Sequence, residues 1–415
     1  MTTPTRTASP AGPPASGGSG AGRARRTPTT TRSSLRRALR VVGVIALVFL
    51  ALVGYSIGGA LTRAGSDPTA ARLAEWARDH HLDFAVTELE KLQYSVQAPA
   101  TGGVPKGGIP LAGGSSSPAS TPPKQSAPPS SVPHSPAPAP VKVIATSPPL
   151  PNEGSWQTVV TNAGEPAVRV AYVRPDDRYT QYLAALMWLD PKLLSAQLHP
   201  GYPSDPPGTF SSPSLIPAAQ KDSTAAAHNG GFRLNGASRG GYYDDGRVAV
   251  PLRDGAASIV ISKDGSVEIG AWNRDVSMTP SVRSVRQNLD LLVDGGQLNT
   301  SCANNNSSVW GYTLGNTAYV PRSGLGVRAD GALVYVNSPA TSVCSIGQLL
   351  QAAGVVRGME LDINPQWAIG VYYTHDAAGH AVAHKLRPDQ SQSAEHYYST
   401  QSRDFFSYSL RRVTP

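Results

Sequence analysis

Four short polar clusters lie at the ends of apolar, strand-like runs. They are Ala227-His228-Asn229-Gly230-Gly231-Phe232, Leu292-Val293-Asp294-Gly295-Gly296, Pro321-Arg322-Ser323-Gly324 and Met359-Glu360-Leu361-Asp362-Ile363-Asn364. A glycine beside an ionisable or amide side chain at a strand end lets the backbone pass close to a ligand. One such turn is commonplace. Four in one region, carrying His, Asn, Asp, Arg and Glu between them, predict a polar pocket suited to a sugar or a phosphate.

The elements that must hold these clusters are mostly strands. Strand-like runs occupy 156–161, 168–173, 193–197, 258–262, 267–272, 289–293, 326–327, 333–336, 355–361 and 367–374. Lys263-Asp264-Gly265-Ser266 and Ala329-Asp330-Gly331-Ala332, each flanked by β-branched residues, predict hairpins. Helical spacing is confined to 179–187 and to 346–353, the latter closed by Gly354. The expected fold is therefore mixed α/β, a strand-rich single external domain over residues 154–415. About 260 residues suffice for one substantial core. Neither a dinucleotide-binding nor a P-loop fingerprint occurs.

Before this domain the chain changes character three times. Residues 1–40 hold eight arginines and no Asp, Glu or Lys. With little to bury, they read as a disordered basic cytoplasmic tail. Residues 41–62 carry no charge, and 22 residues at about 1.5 Å each span a bilayer's hydrocarbon layer. A single transmembrane helix is expected, as an uncleaved anchor in preference to a cleaved signal peptide. The arginines place its N-terminus in the cytoplasm and the rest of the chain outside the cell membrane. Residues 67–98 follow an amphipathic juxtamembrane pattern. Asp67 caps it, Pro68 sits in its first turn, and it breaks near Asp83; His80 and His81 are expected in solvent. Residues 99–153 contain 15 of the chain's 37 prolines with many Ser and Gly, and read as an extended tether.

Charge and cysteine narrow the class further. The net charge of +8 suggests a nucleic-acid partner, but removing the tail leaves 28 basic against 28 acidic residues. No nucleic-acid partner is expected. Cys302 and Cys344 are the only cysteines. Outside the membrane they are expected to form a disulfide, which over a loop of about 43 residues contributes roughly 4 kcal/mol in the chain-entropy model.

The order of the motifs His-Asn-Gly-Gly-Phe, Asn-Arg-Asp, Val-Arg-Gln-Asn-Leu, Leu-Val-Asp-Gly-Gly, Trp-Gly-Tyr-Thr, Arg-Ser-Gly-Leu-Gly-Val and Glu-Leu-Asp-Ile-Asn resembles the phosphodiester glycosidase family. The likeness runs over about residues 225–375. It implies hydrolysis of a sugar joined through its anomeric carbon to a phosphodiester, with a sugar-phosphate or anionic polysaccharide as substrate. Such chemistry needs a carboxylate as nucleophile or base and an arginine to clamp the phosphate. On this resemblance Asp362 is the preferred catalytic carboxylate, with Glu360 and His228 as further catalytic candidates. Glu360 is expected to face away from Asp362. Arg322 is the expected clamp. Asn229, Gly230, Asn364, Asp294 and Arg286 are candidate substrate contacts.

Six of these carry a second reading: Asp294 as a turn cap, His228 as a histidine bonded to a neighbouring carbonyl, Arg286 as half of a salt bridge, Arg322 as a surface arginine in a turn, and Asp362 or Glu360 as half of a buried structural ion pair. No cofactor is expected. Asp294, Asp362 and Glu360 are oxygen ligands that suit a hard divalent cation, without a spacing specific to one. The implied whole is a membrane-anchored extracytoplasmic hydrolase of cell-envelope glycopolymers. The alternative is a non-catalytic module of the same fold that binds envelope polysaccharide.

Overall fold

In the computed structural model, which describes residues 31–96, 98–112, 131–203, 205–234, 236–304, 307–311 and 319–413, the strand-like runs pair into three antiparallel sheets. The largest has eight strands in the order β1 (Gln157–Asn162), β2 (Glu165–Val173), β3 (Ala184–Leu189), β14 (Leu333–Thr341), β13 (Val320–Arg328), β15 (Val355–Glu360), β11 (Val293–Asp294) and β12 (Gln297–Leu298). A second sheet runs β7 (Arg247–Val250), β6 (Tyr242–Asp244), β10 (Val282–Gln287), β8 (Ala257–Ser262) and β9 (Val267–Ala271). The third runs β17 (Ala381–Lys385), β16 (Gly370–His375), β5 (Thr224–Asn229), β18 (Phe405–Leu410) and β4 (Leu194–His199). The strand-rich fold is the one expected, and both predicted hairpins form, as β8–β9 and β13–β14.

Alternation explains how one sheet serves two cores. In β3, Ala185, Met187 and Leu189 join the core shared by all three sheets, with Leu198, Ala226, Ile259, Leu325 and Phe406. Ala184, Leu186 and Trp188 face the other way, against Ile346, Leu349 and Leu350 of helix α5 (Val343–Ala352). Full burial of each large apolar side chain stabilises by roughly 1.5–3 kcal/mol. Helix α5 is capped by Ser342, whose hydroxyl accepts from the Ser345 amide at 3.0 Å. Cys344 in its first turn is disulfide-bonded to Cys302, their Cα atoms 5.1 Å apart.

Several expectations are corrected. Residues 179–187 are not a helix. They are turns leading into β3, every residue of which is buried. A continuous apolar run buried on both faces satisfies a central strand, and tertiary burial overrides its helix-forming composition. Only the last residue of the 289–293 run enters a strand, β11.

The proline-rich segment is not a free tether where it is described. Gly102 donates its amide to the Arg178 carbonyl (2.8 Å), Ala112 to Gln157 Oε1 (2.6 Å) and Lys142 to the Ala352 carbonyl (3.2 Å). Ser135 bonds both carboxylate oxygens of Asp190 at 2.7 and 2.8 Å, and Val141 is buried. Proline-rich backbone without internal hydrogen bonds leaves its polar groups open to such partners. Residues 113–130 and the tail 1–30 lie outside the described residues, as do Asn305 and Asn306, which their place beside Cys302 predicts in a disulfide-stapled loop at the rim.

Contacts divide the chain into two units, Met1–Gly59 and Ala60–Pro415. Helix α1 (Thr31–Leu61) contains one stretch, Leu35–Leu61, long and apolar enough by length and composition to cross a membrane, and most of its large apolar side chains are exposed. Within the second unit the juxtamembrane pattern forms a hairpin of α2 (Thr69–Asp79) and α3 (Asp83–Val96). Pro68 is the residue before α2, not part of its first turn.

Candidate active site

A cleft of about 440 Å³ opens where the ends of β5 and β15 meet the starts of β13 and β18. Phe232, Arg233, Asp362, Asn364, Trp367 and Arg403 line it from the sheets, and α2 and α3 close the opposite side. One amide side chain fixes the relative position of these strand ends. Asn288 Nδ2 donates to the carbonyls of Glu360 (2.7 Å) and Leu361 (3.0 Å), while its Oδ1 accepts from the Phe232 amide at 3.0 Å. Backbone pairing continues past β15: Leu361 donates to the Ser323 carbonyl (2.8 Å), and Ser323 to that of Asp362 (2.9 Å).

Asp362 is 3% exposed at the wall of this cleft. Its Oδ1 accepts from the Asn364 amide at 2.9 Å, and its Oδ2 lies 3.5 Å from Arg403 Nη2. Burial pushes its carboxyl up to about 6, against the opposing pull of Arg403 and of two backbone donors. A carboxyl poised there exchanges protons near neutral pH, as general acid–base chemistry requires.

Arg403 is the hub. Its guanidinium lies 2.8 Å from Asp205, 3.5 Å from Asp362 and 3.9 Å from Glu75, donates to the Gly231 carbonyl at 3.1 Å, and sits 5.5 Å from the Trp367 ring centre. Burial opposes its charge, but Asp205, Glu75, Asp362 and Asp404 outweigh that and hold it above its ordinary value. Burial raises the Asp205 carboxyl, and Arg403 opposes that rise.

The other predicted site residues go elsewhere. Arg322 is fully buried within β13, where its Nη1 bonds Glu360 Oε1 and its Nε donates to the Thr341 carbonyl at 3.0 Å. It is a strand residue bound to a carboxylate and does not line the cleft. Glu360, also fully buried, is therefore engaged by Arg322; desolvation raises its carboxyl, which Arg322 opposes. Alternation by itself puts residues two apart on one face, so it does not separate Glu360 from Asp362. The separation follows from the end of β15 at Glu360 and from the Arg322 bond.

Arg286 takes its salt-bridge reading. Its Nε bonds Asp404 at 2.6 Å, its Nη2 reaches the same carboxylate at 3.2 Å, and both groups are fully buried. Gly230 makes room for this pair, since a Cβ there would come within 2.3 Å of Asp404 Oδ2.

His228 belongs to the core. Its ring stacks on Tyr335 at 4.5 Å, its Nε2 bonds the Tyr408 hydroxyl at 2.8 Å and its Nδ1 the Asn229 carbonyl at 2.9 Å. Burial lowers it to about 4, so it is neutral at pH 7 and off the cleft. Asn229 accepts from the Tyr335 hydroxyl at 2.8 Å. Asp294, its side chain 44% exposed, flanks the turn of the β11–β12 hairpin and pairs with Arg274 at 2.8 Å. Gly295 and Gly296 make that turn with φ of 56° and 76°, a conformation glycine adopts without strain. Among the described residues no three His, Cys, Asp or Glu side chains gather as metal ligands.

Of the named candidates only Asp362 and Asn364 line the cleft. Arg403, Arg233, Asp205 and Trp367 escaped the sequence reading. Arg403 had a signal: Ser402-Arg403-Asp404 precedes the aromatic run Phe405-Phe406, another ionisable cluster at a strand end. It lies beyond residue 375, where the motif likeness stopped.

One comparison with known families agrees with that likeness. Residues 222–362 match the family model of the phosphodiester glycosidases. No curated protein matches. Among solved structures, the zebrafish N-acetylglucosamine-1-phosphodiester alpha-N-acetylglucosaminidase catalytic domain, auto-inhibited by its pro-peptide, is 14% identical at a TM-score of 0.39, covering 62% of this chain and 88% of that one. A hypothetical protein from Synechocystis is 14% identical at 0.34, covering 62% and 65%. A putative exported protein from Burkholderia pseudomallei is 12% identical at 0.26, covering 56% and 74%.

Proposed function

We propose that the domain hydrolyses the bond between a sugar's anomeric carbon and a phosphodiester, with Asp362 as the reacting carboxylate. The observation that carries this reading is the cleft itself: Asp362 is the one carboxylate that the described sheet residues contribute to its lining, raised to about 6 and set 3.5 Å from a guanidinium. Above that pH Asp362 accepts the proton of a water attacking the anomeric carbon. The carbon–oxygen bond to phosphate then breaks, and the leaving phosphate monoester needs little protonation. The cleft arginines hold the phosphate, and Trp367 offers an apolar face to a sugar ring. Helix α1 acts as a membrane anchor with the eight arginines on the cytoplasmic side, so the cleft works outside on cell-envelope glycopolymers.

The test uses the full chain in detergent and a panel of synthetic glycosyl-1-phosphodiesters. Sugar release is expected, with kcat/KM declining as pH falls through about 6 because Asp362 must be ionised. Asp362→Asn should lower kcat by about 100-fold or more while preserving binding. Binding without turnover by the unaltered chain would replace this reading with that of a non-catalytic polysaccharide-binding module.

A further inference from the structure

Just behind the cleft's lining, two carboxylates of α2 meet the cleft arginines. From α2, Glu75 Oε2 lies 2.8 Å from Arg233 Nη1, Glu75 Oε1 lies 3.2 Å from Arg78 Nη1 of its own helix and 3.9 Å from Arg403 Nη1, and Asp79 Oδ1 lies 2.5 Å from Arg233 Nη2. Glu75 is 8% exposed, an unusual place for a carboxylate on an amphipathic helix. The contact is ionic more than apolar, since among the described residues of α2 only Ala71 and Glu75 are buried. Charge proximity does not complete the hydrogen bonding here. Arg233 Nε and Nη1 and Arg403 Nε are buried without an aligned acceptor, although carboxylate oxygens lie close.

We propose that Arg233 and Arg403 form a subsite for a monoanionic phosphodiester, and that Glu75 occupies it as an internal anion until substrate displaces the α2–α3 hairpin. A phosphodiester carries one negative charge, as the Glu75 carboxylate does, and its tetrahedral oxygens can meet donors that a planar carboxylate leaves unaligned. The entry to the hairpin is held separately. Ser402 Oγ donates to Asp67 Oδ2 at 2.7 Å, and Ser66 Oγ bonds His396 Nδ1 at 2.9 Å. The hairpin can thus swing while its root stays fixed. Assigning the ligand as a glycosyl phosphodiester rests on the hydrolase reading; the anion subsite does not.

Diethyl phosphate, a monoanionic diester without an anomeric carbon, separates the two. Its equilibrium binding to the full chain in detergent is measured with melting temperatures as the check on folding. Glu75→Gln should tighten binding roughly tenfold, a coupling of ordinary size. Asp79→Asn, which removes the outer partner of Arg233 alone, should give a smaller gain and supplies the test if the first variant melts early. Arg233→Gln in the Glu75→Gln background should remove the gain. Lys91→Gln, on the outer side of α3, should change nothing. Unchanged affinity in both carboxylate variants, or a gain that survives Arg233→Gln, overturns the subsite. A chain that turns over glycosyl phosphodiesters yet ignores Glu75 would lose the subsite and keep the hydrolase reading, and diester binding without turnover would do the reverse.

Discussion

Arginine meets carboxylate in two settings in this molecule, and the contrast separates scaffold from site. In the interior, Arg286 with Asp404 and Arg322 with Glu360 are fully buried one-to-one pairs that join strand ends to their neighbours. At the cleft, Arg403 is shared among Asp205, Asp362 and Glu75, and Arg233 between Glu75 and Asp79. A guanidinium enclosed with one partner has nothing left for a ligand. One shared among several carboxylates at an opening can exchange a partner for an incoming anion. The residue types and their strand-end positions are the same in both settings; only the surroundings differ.

The contrast is broken most severely at the interior pair. Arg286→Met strands the Asp404 carboxylate and should cost about 3–5 kcal/mol in denaturant unfolding, while adding Asp404→Leu should recover most of the loss. A loss below about 1 kcal/mol for the single change would show that the pair is no structural lock.

At the cleft the expectation is a pH slope. The Asp362 carboxyl is raised from 3.8 to about 6 in the folded chain. Its contribution to stability is complete below about pH 4 and is lost as pH rises through about 6. That loss is on the order of 2–3 kcal/mol. Asp362→Asn should remove this slope, so the stability difference between the two proteins should change across that window; a constant difference would contradict the assignment.

A steric probe of the interior pair comes next. Gly230→Ala sets a Cβ against Asp404 Oδ2 and should destabilise by about 1–3 kcal/mol. The smallest effect belongs to the surface. Asp294→Asn loses only an exposed contact with Arg274, so stability should shift by less than about 0.5 kcal/mol and turnover stay unchanged. Loss of turnover there would return Asp294 to the site.

Strand-end glycines and ionisable residues marked the right parts of the chain, since β5, β13 and β15 all end or begin at the cleft. They did not say which way each side chain turns. Asp362 and Arg322 look alike in sequence, each ionisable and set beside a strand. One lines the cleft because β15 ends two residues before it, and the other is enclosed because β13 begins two residues before it and continues past it. Arg403 was hidden by distance, since its partners Asp205 and Asp362 are 198 and 41 residues away in the chain. The proline tract misled for a related reason: its composition forms no core of its own, but another part of the chain offered it one.

The sequence by itself determined what local chemistry fixes: the apolar helix, the two Asp-Gly hairpins, the break between α2 and α3, and a strand-rich fold with polar clusters at its ends. Each depends on residues within a few positions of one another, where period, turn geometry and charge act directly. Tertiary structure alone decided which arginine is enclosed and which is shared, that His228 is neutral core, and that an N-terminal hairpin sets a carboxylate on the cleft's cations. Those outcomes depend on desolvation and on partners brought from distant parts of the chain, and neither is written in the spacing of neighbours.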